Sequence, residues 1–177
     1  TPTRRQRQMC IRDRSECDGH FGRIQFSVPL FHINRMNAVV SSLKSRCRAC
    51  GARLTKNMCV PCNKPREQIT VRLKKNEILI DGSPTAAHEL SDWLGDDKKL
   101  LLTSILVPPN SLRPPPTLGG EEIMGEDSTT RSLLQILRSN HSLTRHVTEG
   151  DPSDVITTIA RRVQKHVNLY ICLLYTS

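Results

Sequence analysis

Apolar and polar positions alternate and then drift along the chain, so its elements can be drawn before any composition is counted. From Arg23, Ile24, Phe26 and Val28 fall on one strand face, and Pro29 is expected to stop that strand. Met36, Val39, Val40 and Leu43 recur at helical spacing, which predicts an amphipathic helix from about Asn34 to Ser45. Alternation returns at Ile69, Val71 and Leu73, with Lys75-Asn76 as a turn and Ile78/Ile80 on the return strand. Ser83-Pro84 reads as the cap and first-turn proline of a helix AAHELSDWL ended by Gly95. The apolar run Leu100–Val107 precedes VPPNSLRPPP, whose five prolines between Pro108 and Pro116 favour an extended course and forbid helix.

TLGGEEIMGED is glycine-rich and acidic and predicts a loop. A helix is expected from about Ser128, with Leu133, Leu134 and Leu137 on one face. A last helix opens at Asp151-Pro152-Ser153-Asp154, with the stripe Val155/Ile156, Ile159, Val163, Val167 and Tyr170. The fold class expected is irregular α+β: short strands, one amphipathic helix and a C-terminal helix pair, stabilised by zinc.

Composition sharpens this picture. Aromatic content is 3% and hydrophobic content 37%, so aliphatic side chains must build the core, and the piece should lean on neighbours. Net charge is +9, and between Lys44 and Arg66 stand seven basic residues and no acidic one, a balance that favours polyanions. No signal peptide and no apolar run of membrane-spanning length is seen, which predicts a soluble intracellular chain. The end strings MCIRDRS and CLLYTS resemble translated sequencing-adapter readthrough, so residues 1–15 and 172–177 are expected to pack against nothing.

The chemistry concentrates in the cysteines. Cys47-Arg-Ala-Cys50 and Cys59-Val-Pro-Cys62 are two Cys-x-x-Cys turns eight residues apart. Four soft thiolates from two tight turns suit a tetrahedral Zn²⁺, and with no open position such a site is structural, not catalytic. Gly51 permits the left-handed turn that such a knuckle needs. The cations around it, Arg46, Arg48, Arg53 and Lys56, with Arg113 further on, form the expected nucleic-acid face. Cys17-Asp-Gly-His20 is half of a second, incomplete metal site. His88, His141, His146 and His166 have no nucleophile or carboxylate at a telling spacing, which argues against a hydrolase or transferase.

Residues 17–32, CDGHFGRIQFSVPLFH, closely resemble the Cys-Pro-Gly-His-Phe-Gly-His-Ile segment of the largest subunit of archaeal and eukaryotic RNA polymerases. LVPPNSLRPPP, GEDSTTRSLLQILRSN and VQKHVNLYI resemble, in order, that family's Val-Pro-Pro-x-x-x-Arg-Pro segment, its Gly-Glu-Asp-Asp-Leu-Thr helix and its Leu-Gln-x-His-Val-x-x-Tyr segment. The resemblance covers roughly residues 16–171. It implies a clamp segment over 16–107, a proline-rich base and lid loop over 108–127 and a helical hairpin over 128–171.

By the same resemblance Cys47, Cys50, Cys59 and Cys62 hold one clamp zinc, and Cys17 and His20 are two ligands of another. That second site lacks its upstream Cys-x-x-Cys: Arg7 stands where one cysteine should be, and Cys10 matches by chance. Glu121, Glu122, Glu126 and Asp127 make the lid acidic, as suits a wedge that peels transcript from template. The family's catalytic Asn-Ala-Asp-Phe-Asp-Gly-Asp motif is absent, so Mg²⁺ belongs only to the full-length polymerase and the fragment is inactive alone. Implied partners are template DNA, nascent RNA, and the second-largest and smaller polymerase subunits, with no membrane. Implied locations are the nucleus, or nucleolus for polymerase I, in a eukaryote, and the cytoplasm for an archaeal or viral enzyme. The alternative is an autonomous zinc-ribbon nucleic-acid-binding module, which leaves the ordered proline and lid segments unexplained.

Overall fold

A computed structural model of the chain describes residues 19–56, 58–114 and 125–176, with the backbone of 117–118 and 122–123. The architecture is mixed α+β. Its spine is a long antiparallel ribbon of β1 (Gly22–Phe31) and β7 (Leu101–Val107). The expected alternation holds at Ile24 and Phe26, both buried, but Pro29 does not end the strand. The register shifts between Gln25 and Leu30, and Pro29 falls inside that irregularity, where a missing N–H breaks no ladder bond.

After β1, a 3₁₀ turn at Ile33–Arg35 leads into α1 (Met36–Lys44), which buries the four apolar positions of its predicted stripe. Two-residue strands β2 (Met58–Cys59) and β3 (Lys64–Pro65) pair, and then β4 (Val71–Lys74) and β5 (Glu77–Ile80) form a hairpin across Lys75-Asn76. Ser83-Pro84 is not a helix cap: it forms β6 and pairs with Leu79 and Ile80. The expected single helix becomes a 3₁₀ turn at His88–Leu90, a four-residue α2 (Ser91–Leu94) and another 3₁₀ turn at Gly95–Leu100. Ala87, Leu90, Trp93 and Leu94 all face one core. Between the prolines a 3₁₀ turn, Asn110–Leu112, sits where no helical turn was expected; those three residues all carry N–H groups and lie between the two proline runs.

The acidic segment is not wholly loop, because β8 (Thr117–Leu118) pairs with β9 (Glu122–Ile123). The chain then makes α3 (Ser128–Glu149), ended by Gly150 in the left-handed region, and α4 (Ser153–Thr176). The buried face of α3 is Leu133, Ile136, Ser139, Asn140 and Leu143, whereas Leu137 is half exposed. The predicted leucine face is thus rotated: wholly buried Ile136 and Leu143 set the inner face with Leu133, and Asn140 and Ser139 on it bond to β1 and α4. Helix α4 runs past Ile171, with Cys172, Leu174 and Tyr175 exposed; residues 1–15 lie outside the described residues.

Two cores result. One joins Ile24, Phe26, Leu30 and Ile105 of the ribbon to Leu133, Ile136 and Leu143 of α3 and Ile159, Val163, Val167 and Tyr170 of α4. The other joins Phe31 and Leu101 to α1, the β4–β5 hairpin and the α2 region. Neighbouring residues Leu30 and Phe31 point into different cores, so the ribbon ties them together. Each of Met36, Val39 and Leu43 contributes about 2 kcal/mol by burial, before ordering costs.

Candidate metal centre

Two hairpin turns carry the four cysteines. In the first, Arg46 and Arg53 bridge, Cys47 N–H donates to Ala52 O at 2.8 Å, and Gly51 N–H donates to Cys47 O at 2.9 Å. The second is the β2–β3 hairpin, with Cys59 opposite Lys64. Each turn exits through a left-handed residue directly after its second cysteine: Gly51 at φ 68° and Asn63 at φ 50°. Asn visits that region more readily than other side-chain-bearing residues, so it can replace glycine there.

Gly51 meets a second demand. A Cβ on it would lie 2.7 Å from Asp92 O and 3.2 Å from Gly95 Cα, so no side chain fits where the first turn docks on α2. Gly95, at φ 51°, answers it, since its own Cβ would lie 2.8 Å from Gly51 O.

Arg46 locks this docking. Its side chain is 3% exposed, its Nη2 lies 2.8 Å from Asp97 Oδ2, and its Nη1 donates to Gly51 O at 2.6 Å. Ser42 Oγ donates to the same Asp97 oxygen at 2.7 Å, and Trp93 Nε1 donates to Arg46 O at 3.1 Å. The end of α1, the first cysteine turn and the segment after α2 are thereby joined by one guanidinium. The Ser42 hydroxyl, and after it Arg46, hold the Asp97 carboxyl below its ordinary range.

The thiols converge. Ligand atoms of Cys47, Cys50, Cys59 and Cys62 all lie within 4.8 Å of one another, and the Cys50 and Cys59 sulfurs are 3.4 Å apart. A tetrahedron with Zn–S near 2.3 Å spaces its sulfurs by roughly 3.8 Å, so the donor set fits a zinc-sized ion. Cys59 is buried, Cys47 and Cys62 are half-buried and Cys50 is exposed, and none of the four is in a disulfide. Hydrogen bonding from Ala52 N–H, reinforced by Cys62 and Cys59, pulls the Cys50 thiol down to about 7. Hydrogen bonds to Cys50 and Cys59 push Cys62 up to about 12. Four thiols this close resist ionising together, which is the electrostatic load a divalent cation relieves.

The other expected site residues are distributed unevenly. Arg48 is exposed and stands 5.9 Å from the centre of the Trp93 ring; Arg53 and Lys56 are exposed beside the cysteines. Arg46 does not belong to that face, being buried and ion-paired. Arg113 is also occupied internally: it donates to Pro108 O, Asn110 Oδ1 and Thr130 Oγ1, fastening the proline segment to the start of α3. Asp127 Oδ2 accepts from Thr130 N–H at 3.0 Å and caps α3, while Glu126 is exposed. Glu121 and the side chain of Glu122 lie outside the described residues, as does Cys17, so the Cys17/His20 half-site is not described as a pair; His20 is exposed.

Three histidines have partners that spacing did not reveal, and one of them, His88, has its Nε2 3.4 Å from Thr157 Oγ1. His166 Nδ1 lies 3.1 Å from Ser139 Oγ, but that hydroxyl is also bonded to the carbonyls of Gln135 and Ile136, inside the helix pair. His146 bonds Asp151 across the Gly150 turn. Sequence reasoning missed Trp93, Gly95 and Asp97 as supports of the centre; the one signal was the glycine followed by two acids after an apolar run.

No family model matches the chain. Curated relatives do. The DNA-directed RNA polymerase subunit Rpo1N of Methanothermobacter thermautotrophicus strain Delta H is 26% identical over 88% of this chain and 23% of its own length. Rpo1N of Methanocaldococcus jannaschii is 25% identical over 88% of the chain and 16% of itself. Over most of its length the chain is similar to DNA-directed RNA polymerase subunits. The same holds across domains of life: the RNA polymerase II subunit RPB1-A of Trypanosoma brucei brucei is 24% identical over 92% of the chain and 14% of its own length. The chain therefore spans about a quarter or less of the polymerase subunits it matches. Only 12% of it lies outside the match to the Methanothermobacter subunit, so the cysteine cluster, far from either end, is inside the matched span.

Proposed function

We propose that this chain is the clamp and lid portion of the largest subunit of a DNA-directed RNA polymerase, built around one structural zinc. The observation that carries the reading is the four-thiol cluster, seated between α1 and β4 in a chain whose relatives along most of its length are polymerase subunits. Cys47, Cys50, Cys59 and Cys62 hold the zinc, and Cys17 and His20 are half of a second, incomplete clamp zinc site. The segment 16–107 is the clamp piece, 108–127 the base and lid, and 128–171 the helical hairpin that backs them. Catalytic Mg²⁺, template DNA, nascent RNA and the second-largest and smaller subunits belong to the whole enzyme. Its location is nuclear in a eukaryote and cytoplasmic in an archaeon or virus.

In this reading Arg48, Arg53 and Lys56 sit on an exposed cationic rim beside the zinc and attract phosphates. The lid, with Glu121, Glu122 and Glu126 and no base, repels them and directs the transcript off the template. Supports for a wedge are local: Arg113 braces the entry, and the Asp127 cap braces the exit. No observation favours a free-standing zinc ribbon, and two cores reaching well beyond the cysteines weigh against it.

The test is a chimeric archaeal polymerase in which residues 16–171 replace the matching Rpo1N segment. Replacing Glu121, Glu122 and Glu126 by Gln is expected to leave nucleotide addition nearly intact while extended RNA–DNA hybrids accumulate on single-stranded template. Unchanged displacement after deletion of 117–127 would refute the lid role.

A further inference from the structure

On the side of the molecule formed by α4, the turn of the β4–β5 hairpin and the segment after β6, a groove of about 680 Å³ remains open. It shares no lining residue with the cavity beside the cysteines. One wall is a single ridge of α4, in which Ala160, Gln164 and Asn168 follow at four-residue spacing and the small Ala160 leaves room. Buried Leu30, Ala86 and Ala87 close the floor, and the apolar surface open to a partner is half-exposed Leu169 with part-buried Ile33.

Four cations, Lys75, Arg161, Arg162 and Lys165, surround this floor against one carboxylate, Glu77. Arg161 bonds Pro84 O, and Gln164 is committed to both backbone groups of Phe31 and to Asn168. Lys75, Arg162 and Lys165 are exposed and have no salt-bridge partner among the described residues. The lining therefore offers a dry strip with a one-signed rim, and its own rigid groups are already satisfied.

We propose that this groove docks an acidic peptide segment carrying an aliphatic anchor. The charge selects the sign of the partner, and the floor selects its class. A single-stranded nucleic acid would want exposed rings for its bases to stack on, and the one ring here, Phe31, is 4% exposed. An aliphatic side chain flanked by carboxylates meets both demands, with Leu or Ile against Leu169 and Ile33 and acids reaching Lys75 on one side and Arg162 and Lys165 on the other. Such a contact places a partner on the back of the helix pair, away from the cysteine centre and independent of the polymerase reading.

The experiment uses the zinc-loaded full chain and a fluorescein-labelled peptide, Asp-Glu-Leu-Asp-Glu-Leu-Leu-Glu-Asp, followed by anisotropy at two salt concentrations. A peptide with every acid replaced by its amide and a length-matched oligothymidylate serve as the other arms. The acidic peptide is expected to bind, to weaken with salt, and to lose about tenfold or more in affinity in the double variant R162E/K165E and in the separate variant K75E. All three side chains are exposed, so circular dichroism should stay unchanged; K44E/R66E, beside the cysteines, should leave binding alone. Amide shifts on titration should map to Leu30–Ile33 and Thr85–Ala87. Equal binding by the amide peptide, indifference to both charge reversals, or tighter and equally variant-sensitive binding of oligothymidylate overturns the proposal.

Discussion

Removing Asp97 should uncouple the cysteine centre from the rest of the fold. In Asp97→Ala the Arg46 guanidinium, 3% exposed, keeps its bonds to Gly51 O and Ser42 Oγ and loses its ion partner. Breaking a buried pair by deleting one member costs about 3–5 kcal/mol. The Asp97 side chain is 18% exposed, and water entering from its side solvates Arg46 in part, which places the loss near the lower end, about 3 kcal/mol. For a chain of this length that corresponds to a drop in Tm of roughly 6–12 °C.

The assay is urea unfolding of the zinc-loaded wild type and variant across pH. Because the folded-state carboxyl is held below its ordinary value, the unfolded chain binds the proton first as pH falls. The stability difference between the two proteins should therefore be constant from neutral pH down to about 5. It should shrink below the ordinary carboxylate value and vanish as pH falls through the depressed folded value. Thiol protonation and metal release in acid affect both proteins and cancel in the difference. A loss under about 0.5 kcal/mol, the size of an ordinary surface substitution, or one that grows in acid, would refute the role assigned to this pair.

Further outcomes follow from the same geometry. Gly51→Ala should cost about 2 kcal/mol or more through its clash with Asp92 O and Gly95, and should weaken zinc retention in a chelator competition. Asn63→Gly should be nearly neutral in the same assay, while Asn63→Val should cost about 1–2 kcal/mol, because the left-handed φ disfavours a β-branched residue. Asp127→Ala should lower Tm by removing the α3 cap, worth about 1 kcal/mol. Grafting a Cys-x-x-Cys upstream of Cys17 should raise measured zinc by about one ion per chain; unchanged zinc would remove Cys17 and His20 from any metal site.

Much of the fold was legible where local pattern and burial coincide. The α1 stripe, the Lys75-Asn76 hairpin turn and the start of α3 at Ser128 all depend on residues within a few positions of one another. The four cysteines were legible because metal binding imposes its own spacing. Errors came where distant partners decide. Pro29 reads as a strand stop until β7 shows an irregular register that tolerates it. Arg46 and Arg48 look alike in a basic run, yet Arg46 is buried because Asp97, 51 positions later, reaches it, and no count of charges shows which arginine that will be. Leu137 fits a leucine face, but the core formed with β1 and α4 buries Ile136 and Leu143 instead and leaves Leu137 half exposed.

The central claim is that Cys47, Cys50, Cys59 and Cys62 close around one structural zinc. Zinc K-edge X-ray absorption on the purified full chain, with metal quantified in the same sample, tests it most directly. Four sulfur scatterers near ~2.3 Å, with no nitrogen or oxygen neighbour at about one zinc per chain, are the expected result. A Cys59→Ser chain should then lose the ion and unfold with it. A shell of mixed nitrogen and oxygen ligands, or an intact fold that binds no zinc, would contradict it.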